Sequence, residues 1–365
     1  MENVIEQQSN KQQPAHPFQF GSQILETVRF YKYLGVTLDE HLEFELNSSI
    51  LADAAGRALG AIRSKLKNLK ECGFGAFNTL FNCGVLSICD YSAGVWGTKV
   101  FTKTEQVQYK AARYFLGVHR FAPLDALLGD MGWITAKSRH KLLTLQYWNR
   151  LCLLPQDRIT KYIFVWDTSN FSSKRGTWSY NVKNILREIG LEESFQNLTS
   201  INFDYAQSML IESDGEEWNS KRYRSDKLRY YNMYKVEKTS ADYVKMNITK
   251  YQRSLFAQFR CGILPLEIEV GRYRNIDLSE RICKLCTQDL VEDEIHFLCD
   301  CPVYSEQREP VFLQASISNT HFMEMDSLDK FVYLMLNHER AVVTFVSSAF
   351  RRRQSLISNM PVNIN

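Results

Sequence analysis

Three cysteines and a histidine near the carboxyl end constrain this chain more than any other feature. Cys283, Cys286, His296 and Cys301 follow the pattern C-x2-C-x9-H-x4-C. Two thiols separated by two residues fit the tip of a tight turn, where their sulfurs converge on one tetrahedral centre at roughly 2.3 Å. A short helical turn starting near His296 and interrupted before Pro302 would bring the other two side chains back to that centre. Cys299 lies three residues after His296 and would share its face if the segment stayed helical. Cys301 is preferred, and Cys299 is the alternative.

The competing reading is a run of unrelated buried cysteines, which are common core residues. Four of the nine cysteines fall within nineteen residues beside a histidine, and that clustering favours a Zn2+ site. Four protein ligands leave no position for a catalytic water. The ion is therefore expected to be structural, contributing on the order of 10 kcal/mol to folding. Within Glu292-Asp293-Glu294 one carboxylate is expected to orient the histidine ring, the others being solvated.

At 365 residues, 45% apolar and 13% aromatic, the chain is long enough for two or three domains with a substantial core. Its 44 basic and 41 acidic residues nearly cancel, so any nucleic-acid signal must come from local clusters. The first eight residues are acidic and polar where a secretory signal needs a basic and then an apolar region. Reduced thiols and an intracellular location, nucleus or cytoplasm, are expected. No apolar run approaches the roughly 18 residues needed to cross a bilayer, so no membrane partner is expected.

The fold class expected is mainly α, with a short β element near residue 28. Residues 1–23 are Gln-, Asn- and Pro-rich and read as a flexible lead-in. Val28–Val36 suits a strand. A long helix is expected from Asp39, which would cap it, with Leu42, Leu46, Ile50, Ala54, Ala58, Ile62, Leu66 and Leu69 inward. Further helices are expected over 77–91, from Thr104 to Gly117, over 123–129, 135–154, 181–189, 243–260 and 328–350. A boundary is expected at Ser213-Asp214-Gly215, and Trp96 reads as a core anchor. Residues 24–154 form a strand-and-helix domain, with 39–154 packed as one core, 155–254 a helical connector, 255–310 the metal lobe and 311–365 a helix and tail.

Arg63, Lys67 and Lys70 make a basic stripe whose spacing suits a phosphate backbone. The same cations would also complement a helix C-terminus. Lys137, Arg139 and Lys141 form a second, exposed cluster, read as solvation. Arg222 and Arg224 lie in a stretch that interleaves cations with tyrosines, as stacking on bases requires; inward tyrosines with snorkelling arginines are the alternative. Arg272 and Arg274 precede the cysteines, and Arg351-Arg352-Arg353 is weak evidence for nuclear import.

No Asp-Asp pair, phosphate loop, H-E-x-x-H helix or G-x-S-x-G elbow occurs, so no catalytic residue is assigned. With these residues set out, the chain resembles the C-terminal part of reverse transcriptases from non-LTR (LINE-type) retrotransposons. Phe30-Tyr31-Lys32-Tyr33-Leu34-Gly35-Val36 is similar to the motif leading from palm to thumb. Tyr91 to Gly97, Val107 to Val118 and Pro123 to Trp133 are similar to the thumb and the helices beyond it. Phe259-Arg260, Pro265 to Glu269, Gly271-Arg272-Tyr273, Arg281-Ile282-Cys283, Cys286, Glu292 to Glu294, His296-Phe297-Leu298, Cys301-Pro302, Tyr304 and Arg308 resemble the CCHC zinc knuckle and its approach. The resemblance implies thumb-side grip on a template–primer duplex and zinc-assisted binding of RNA or DNA. It also implies that polymerase and endonuclease sites precede this chain. The expected function is a non-catalytic, zinc-containing, nucleic-acid-binding remnant. The alternatives are a polymerase part completed in trans by a separate palm, and a protein-interaction module or decayed copy.

Overall fold

The computed structural model describes residues 18–67 and 72–359. It is mainly helical, with two short hairpins at its N-terminal side. Strands β1 (Gln19–Phe20) and β2 (Gln23–Ile24) pair antiparallel, as do β3 (Phe30–Tyr33) and β4 (Val36–Asp39). The single strand expected over 28–36 is thus a hairpin. Leu34 and Gly35 turn it, both with positive φ (46° and 85°), the geometry a two-residue hairpin loop demands. Tyr91 closes over that turn, its hydroxyl donating to the Leu34 carbonyl at 2.8 Å. The apolar side chains of both hairpins, Phe18, Phe20, Ile24, Phe30, Tyr31 and Leu34 among them, remain exposed.

The numbered helices, those of seven residues or more, are α1 (Glu45–Lys67), α2 (Phe74–Phe81), α3 (Thr102–Leu116), α4 (Leu124–Met131), α5 (Ala136–Cys152), α6 (Ile159–Phe171) and α7 (Trp178–Glu188). They continue with α8 (Phe203–Arg222), α9 (Lys250–Arg260), α10 (Glu267–Tyr273), α11 (Ser305–Ser318), α12 (Ser327–Asn337) and α13 (Glu339–Ser358). Among the described residues no helix is long and apolar enough to cross a membrane.

Several expected boundaries move for local reasons. Asp39 accepts from the amides of His41, Glu43 and Phe44, which builds a loop, and positive φ at Leu42 and Phe44 delays α1 to Glu45. Its buried face is Leu51, Ala52, Ala55 and Leu59, while Leu42, Leu46 and Ile50 are exposed; Leu69 lies outside the described residues. Helix α3 begins at Thr102, so Thr104 sits within it, and Gly117 ends it in the left-handed region. The helix expected over 243–260 is divided, because Thr249 and Gln252 form a reciprocal capping box that starts α9 afresh. That expected over 328–350 breaks at His338 into α12 and α13. Ser213-Asp214-Gly215 is no boundary but the interior of α8, where buried Asp214 accepts from Thr135 and Ser138 and pairs with Lys238.

The core does not divide at 154, 254 and 310. One apolar cluster runs from Ala52 and Phe77 through Phe115, Phe256 and Phe259 to Cys283, Phe297, Cys301, Val346 and Phe350. It includes the residues of the Cys-rich segment and packs α9 against α13. A second core holds Leu145, Trp148 and Leu151 of α5 against Phe164, Val182, Phe195 and Leu210, so 39–154 is not one core. The inward face of α5 belongs to the helices that follow it. Trp96 is buried as expected, with Phe101 and Leu51.

At the centre of the larger cluster Asp130, fully buried, accepts from Arg260 Nε and Nη2 (3.0 and 2.9 Å), Tyr231 (2.9 Å) and Tyr243 (2.8 Å). Arg260 also donates to Glu339 at 2.9 Å. The network ties α4, α9 and α13 together.

After α9, Gly262 turns the chain with φ +64°, and a Cβ there would fall 2.0 Å from the Lys227 carbonyl oxygen. Left-handed backbone alone costs a residue with a side chain roughly 1–2 kcal/mol, and the clash adds to it. Gly262→Ala is therefore expected to lower the thermal midpoint by several degrees. A melt indistinguishable from the unsubstituted chain contradicts this account of the turn.

Candidate metal centre

The Cys283–Cys286 turn is closed by a short antiparallel ribbon. Ile282 bridges Val291, the Cys283 amide donates to the Leu290 carbonyl (2.9 Å), and Asp289 takes positive φ. His296 opens a wide turn, His296–Asp300, in which the Cys301 amide donates to the His296 carbonyl five residues back (2.8 Å). Such π-turns are rare and are frequently found at functional sites. Here the extra residue carries Cys301 onto the side of His296, and Pro302 prevents the helix from continuing. Arg308 clamps the turn from α11, donating to the Leu298 and Cys301 carbonyls at 2.7 and 2.6 Å.

The ligand atoms of Cys283, Cys286, His296 and Cys301 lie within 4.8 Å of one another, close enough to hold one metal ion. Nε2 of the histidine faces Cys286 Sγ at 3.5 Å. Cys299 is not in the cluster; it is buried in the core, and burial pushes its thiol up to about 12. The proximity of the Cys283 and Cys301 sulfurs holds the Cys283 thiol well below the usual range and pushes that of Cys301 up. Three sulfurs and an imidazole this crowded fit a divalent cation, which would accept all three as thiolates with release of protons.

The acidic run is neither solvated nor an orienting partner of the ring. Glu292, 1% exposed, accepts a bidentate pair from Arg353 (2.8 and 2.6 Å) and the Glu267 amide. Glu294 is buried against Arg229, and burial raises its pKa despite that cation. Asp293 accepts from the His296 backbone amide at 2.8 Å and from Tyr230. Buried Nδ1 of His296 has no hydrogen-bond partner among the described residues. Asp293 thus braces the backbone of His296, while Glu292 and Glu294 tie the segment to Arg353 and Arg229; none of the three holds the imidazole.

The basic residues singled out in the sequence separate into two groups. Arg63, Lys67, Arg224 and Arg274 are exposed, and among the described residues none has a carboxylate partner. Arg63 lies over the Tyr114 ring at 5.0 Å, which Lys250 shares at 5.1 Å. Lys70 lies outside the described residues. Arg222, by contrast, is buried: it donates to the Lys235 carbonyl and lies over Trp218 at 4.6 Å, so it has no face to offer a phosphate. Half-buried Arg272 pairs with Glu269 at 3.3 Å. Lys137, Arg139 and Lys141 are not free either, being paired with Glu217, Asp90 and Glu188. Of the terminal arginines, Arg353 and Arg352 are paired and Arg351 lies over Tyr251.

No protein-family model, curated protein or solved structure matches this chain.

Proposed function

We propose that this chain is a zinc-stabilised, non-catalytic nucleic-acid-binding protein, resembling the thumb-to-knuckle end of a non-LTR retrotransposon reverse transcriptase. The observation that carries the reading is the cluster of three cysteine sulfurs and one imidazole, in a chain whose exposed Arg63, Lys67, Arg224 and Arg274 have no carboxylate partner among the described residues. A tetrahedral zinc with roughly 2.3 Å bonds to sulfur and roughly 2.0 Å to nitrogen separates the two atoms by about 3.5 Å. The 3.5 Å between Cys286 Sγ and His296 Nε2 supports that ion. Cys283, Cys286, His296 and Cys301 would hold it, and its contribution is to fold the knuckle and fix α10 and α11 beside it.

Binding is to phosphate, carried by Arg63, Lys67, Arg224 and Arg274, and is weakly sequence-specific. If each of the four meets one phosphate, log K against log salt should have a slope of roughly −2.8 on single strands and roughly −3.6 on duplex DNA. Filter binding of RNA and duplex DNA at two salt concentrations measures this. No retention of either nucleic acid at low salt defeats the reading.

A second reading, a chain completed in trans by a separate polymerase palm, is favoured by the exposed apolar side chains of the β1–β2 and β3–β4 hairpins. Another protein body would cover them. The same titration separates the two readings, since a chain that binds nucleic acid alone does not need that body.

A further inference from the structure

A cavity of about 280 Å³ opens between the loop after α3, the helix α9 and the helix α10. Ile263, Pro265 and Val270 line it together with His119, Gln258 and Tyr273, and its one carboxylate, Glu269, is paired with Lys227 and Arg272. The volume falls just below the roughly 300–1,000 Å³ of pockets that hold drug-sized ligands, and suits one planar heterocycle. Beside the mouth Phe121 and Tyr273, both more than half exposed, form an open V with ring centres 6.4 Å apart and planes inclined by 56°.

Cations surround these rings unevenly. Lys227 lies 5.6 Å from the Tyr273 ring centre but is held by Glu269 at 2.6 Å. Arg120 stands over Phe121 at 4.7 Å, and Arg274 borders the cavity. Among the described residues neither has a carboxylate partner. His119 Nδ1 accepts from the Phe121 amide at 3.1 Å, which leaves the Nε2–H of the neutral ring as a donor. Two exposed rings, two unpaired guanidiniums and a donor around an apolar slot match the chemistry of a base with a phosphate on each side.

We propose that this cavity takes one unstacked base of a single-stranded nucleic acid, laid against Tyr273 and Phe121, with the flanking phosphates on Arg120 and Arg274. The assignment rests on the nucleic-acid-binding reading and gives it a place. The base is held by stacking and is read loosely, because every base has a π-face. Duplexes, whose bases are paired, do not use the site. The helix α10 that carries Tyr273 is anchored next to the metal cluster: Arg281, two residues before Cys283, donates to the Ile268 and Ile276 carbonyls at 2.9 and 3.0 Å.

The test is fluorescence anisotropy of the full chain with a labelled single-stranded RNA, with its duplex, and with adenosine monophosphate as competitor. Tyr273→Ala is expected to weaken single-strand binding roughly 5- to 150-fold, the range of base–aromatic stacking, and to leave duplex binding unchanged. Tyr273→Phe should keep wild-type affinity. Arg274→Ala should reduce the salt slope on the single strand by roughly 0.7, one phosphate's share. If the unsubstituted chain binds the strand and both Tyr273→Ala and Phe121→Ala bind it equally well, the site is wrong while the general reading stands. If neither RNA form binds, the general reading falls and the site with it. Adenosine monophosphate in excess is expected to release labelled strand from the unsubstituted chain; a strand that stays fully bound also overturns the proposal, since a site for one base must accept it from a free nucleotide.

Discussion

Removing the proposed ion is expected to unfold the large core of this protein, not only its Cys-rich segment. Loss of a structural zinc forfeits on the order of 10 kcal/mol, as much as the whole stability of an ordinary domain, about 5–15 kcal/mol. Cys283 and Cys301 belong to the same apolar cluster as Phe77, Phe115 and Phe256, so no packing boundary confines the damage. Six tryptophans report on it, and none lies between residues 255 and 310. Trp218 is in the large core, and Trp133 stacks on Phe81 with ring centres 4.5 Å apart. Chelation, or Cys283→Ser, should therefore red-shift tryptophan emission and abolish most of the cooperative melt, with one equivalent of metal released. Unchanged emission after complete metal loss would show that the knuckle folds as a separate lobe. A Cys283→Ser protein that retains a full equivalent would mean that the ligands are misassigned.

The second large effect is expected at Asp130. Asp130→Ala should cost about 3–5 kcal/mol, the usual penalty for stranding a buried charge, because Arg260 keeps Glu339 as its one carboxylate partner among the described residues, Tyr243 loses its acceptor and Tyr231 is left with the Ala126 carbonyl at 3.4 Å. Burial alone would raise the carboxyl's pKa, but the attraction and hydrogen bonds of Arg260, with Lys235 and Tyr243, hold it below the ordinary 3.8. A depressed folded-state value means that the stabilisation is fully present above pH 3.8 and is lost as pH falls through the lower, folded value. Urea unfolding of the unsubstituted chain near neutral pH and in acid, beside Asp130→Ala, measures both. A variant within ~0.5 kcal/mol of the parent, the range of surface substitutions, would remove Asp130 from its central place.

What could be read in the sequence follows from how local the determining contacts are. The meeting of Cys283, Cys286, His296 and Cys301 was legible because thiols and an imidazole at short spacing are rare and need only two turns to meet. Gly117 and Thr135 were legible for the same reason, each acting within one helical turn. The partners of Glu292, Glu294 and Arg222 were not, since Arg353, Arg229 and Lys235 come from other elements and a charge in a sequence looks solvated until its partner is found. Asp130 and Arg260 are 130 positions apart, a separation that no periodicity encodes. Phe121 and Tyr273 meet only when α10 docks beside the loop after α3. Their one sequence signal was proximity to arginines, noted at Arg274 and overlooked at Arg120.

The Glu292–Arg353 pair has a consequence for biosynthesis. A ribosome delivers domains from the N-terminal side at about 5–20 residues per second, but here Phe77 and Phe81 share their cluster with Val346 and Phe350, and the brace behind the metal ligands is Arg353. The early helices emerge long before the residues that seal them. Until then the nascent chain carries open apolar surface, and the last helix acts as the bolt that locks what was made first.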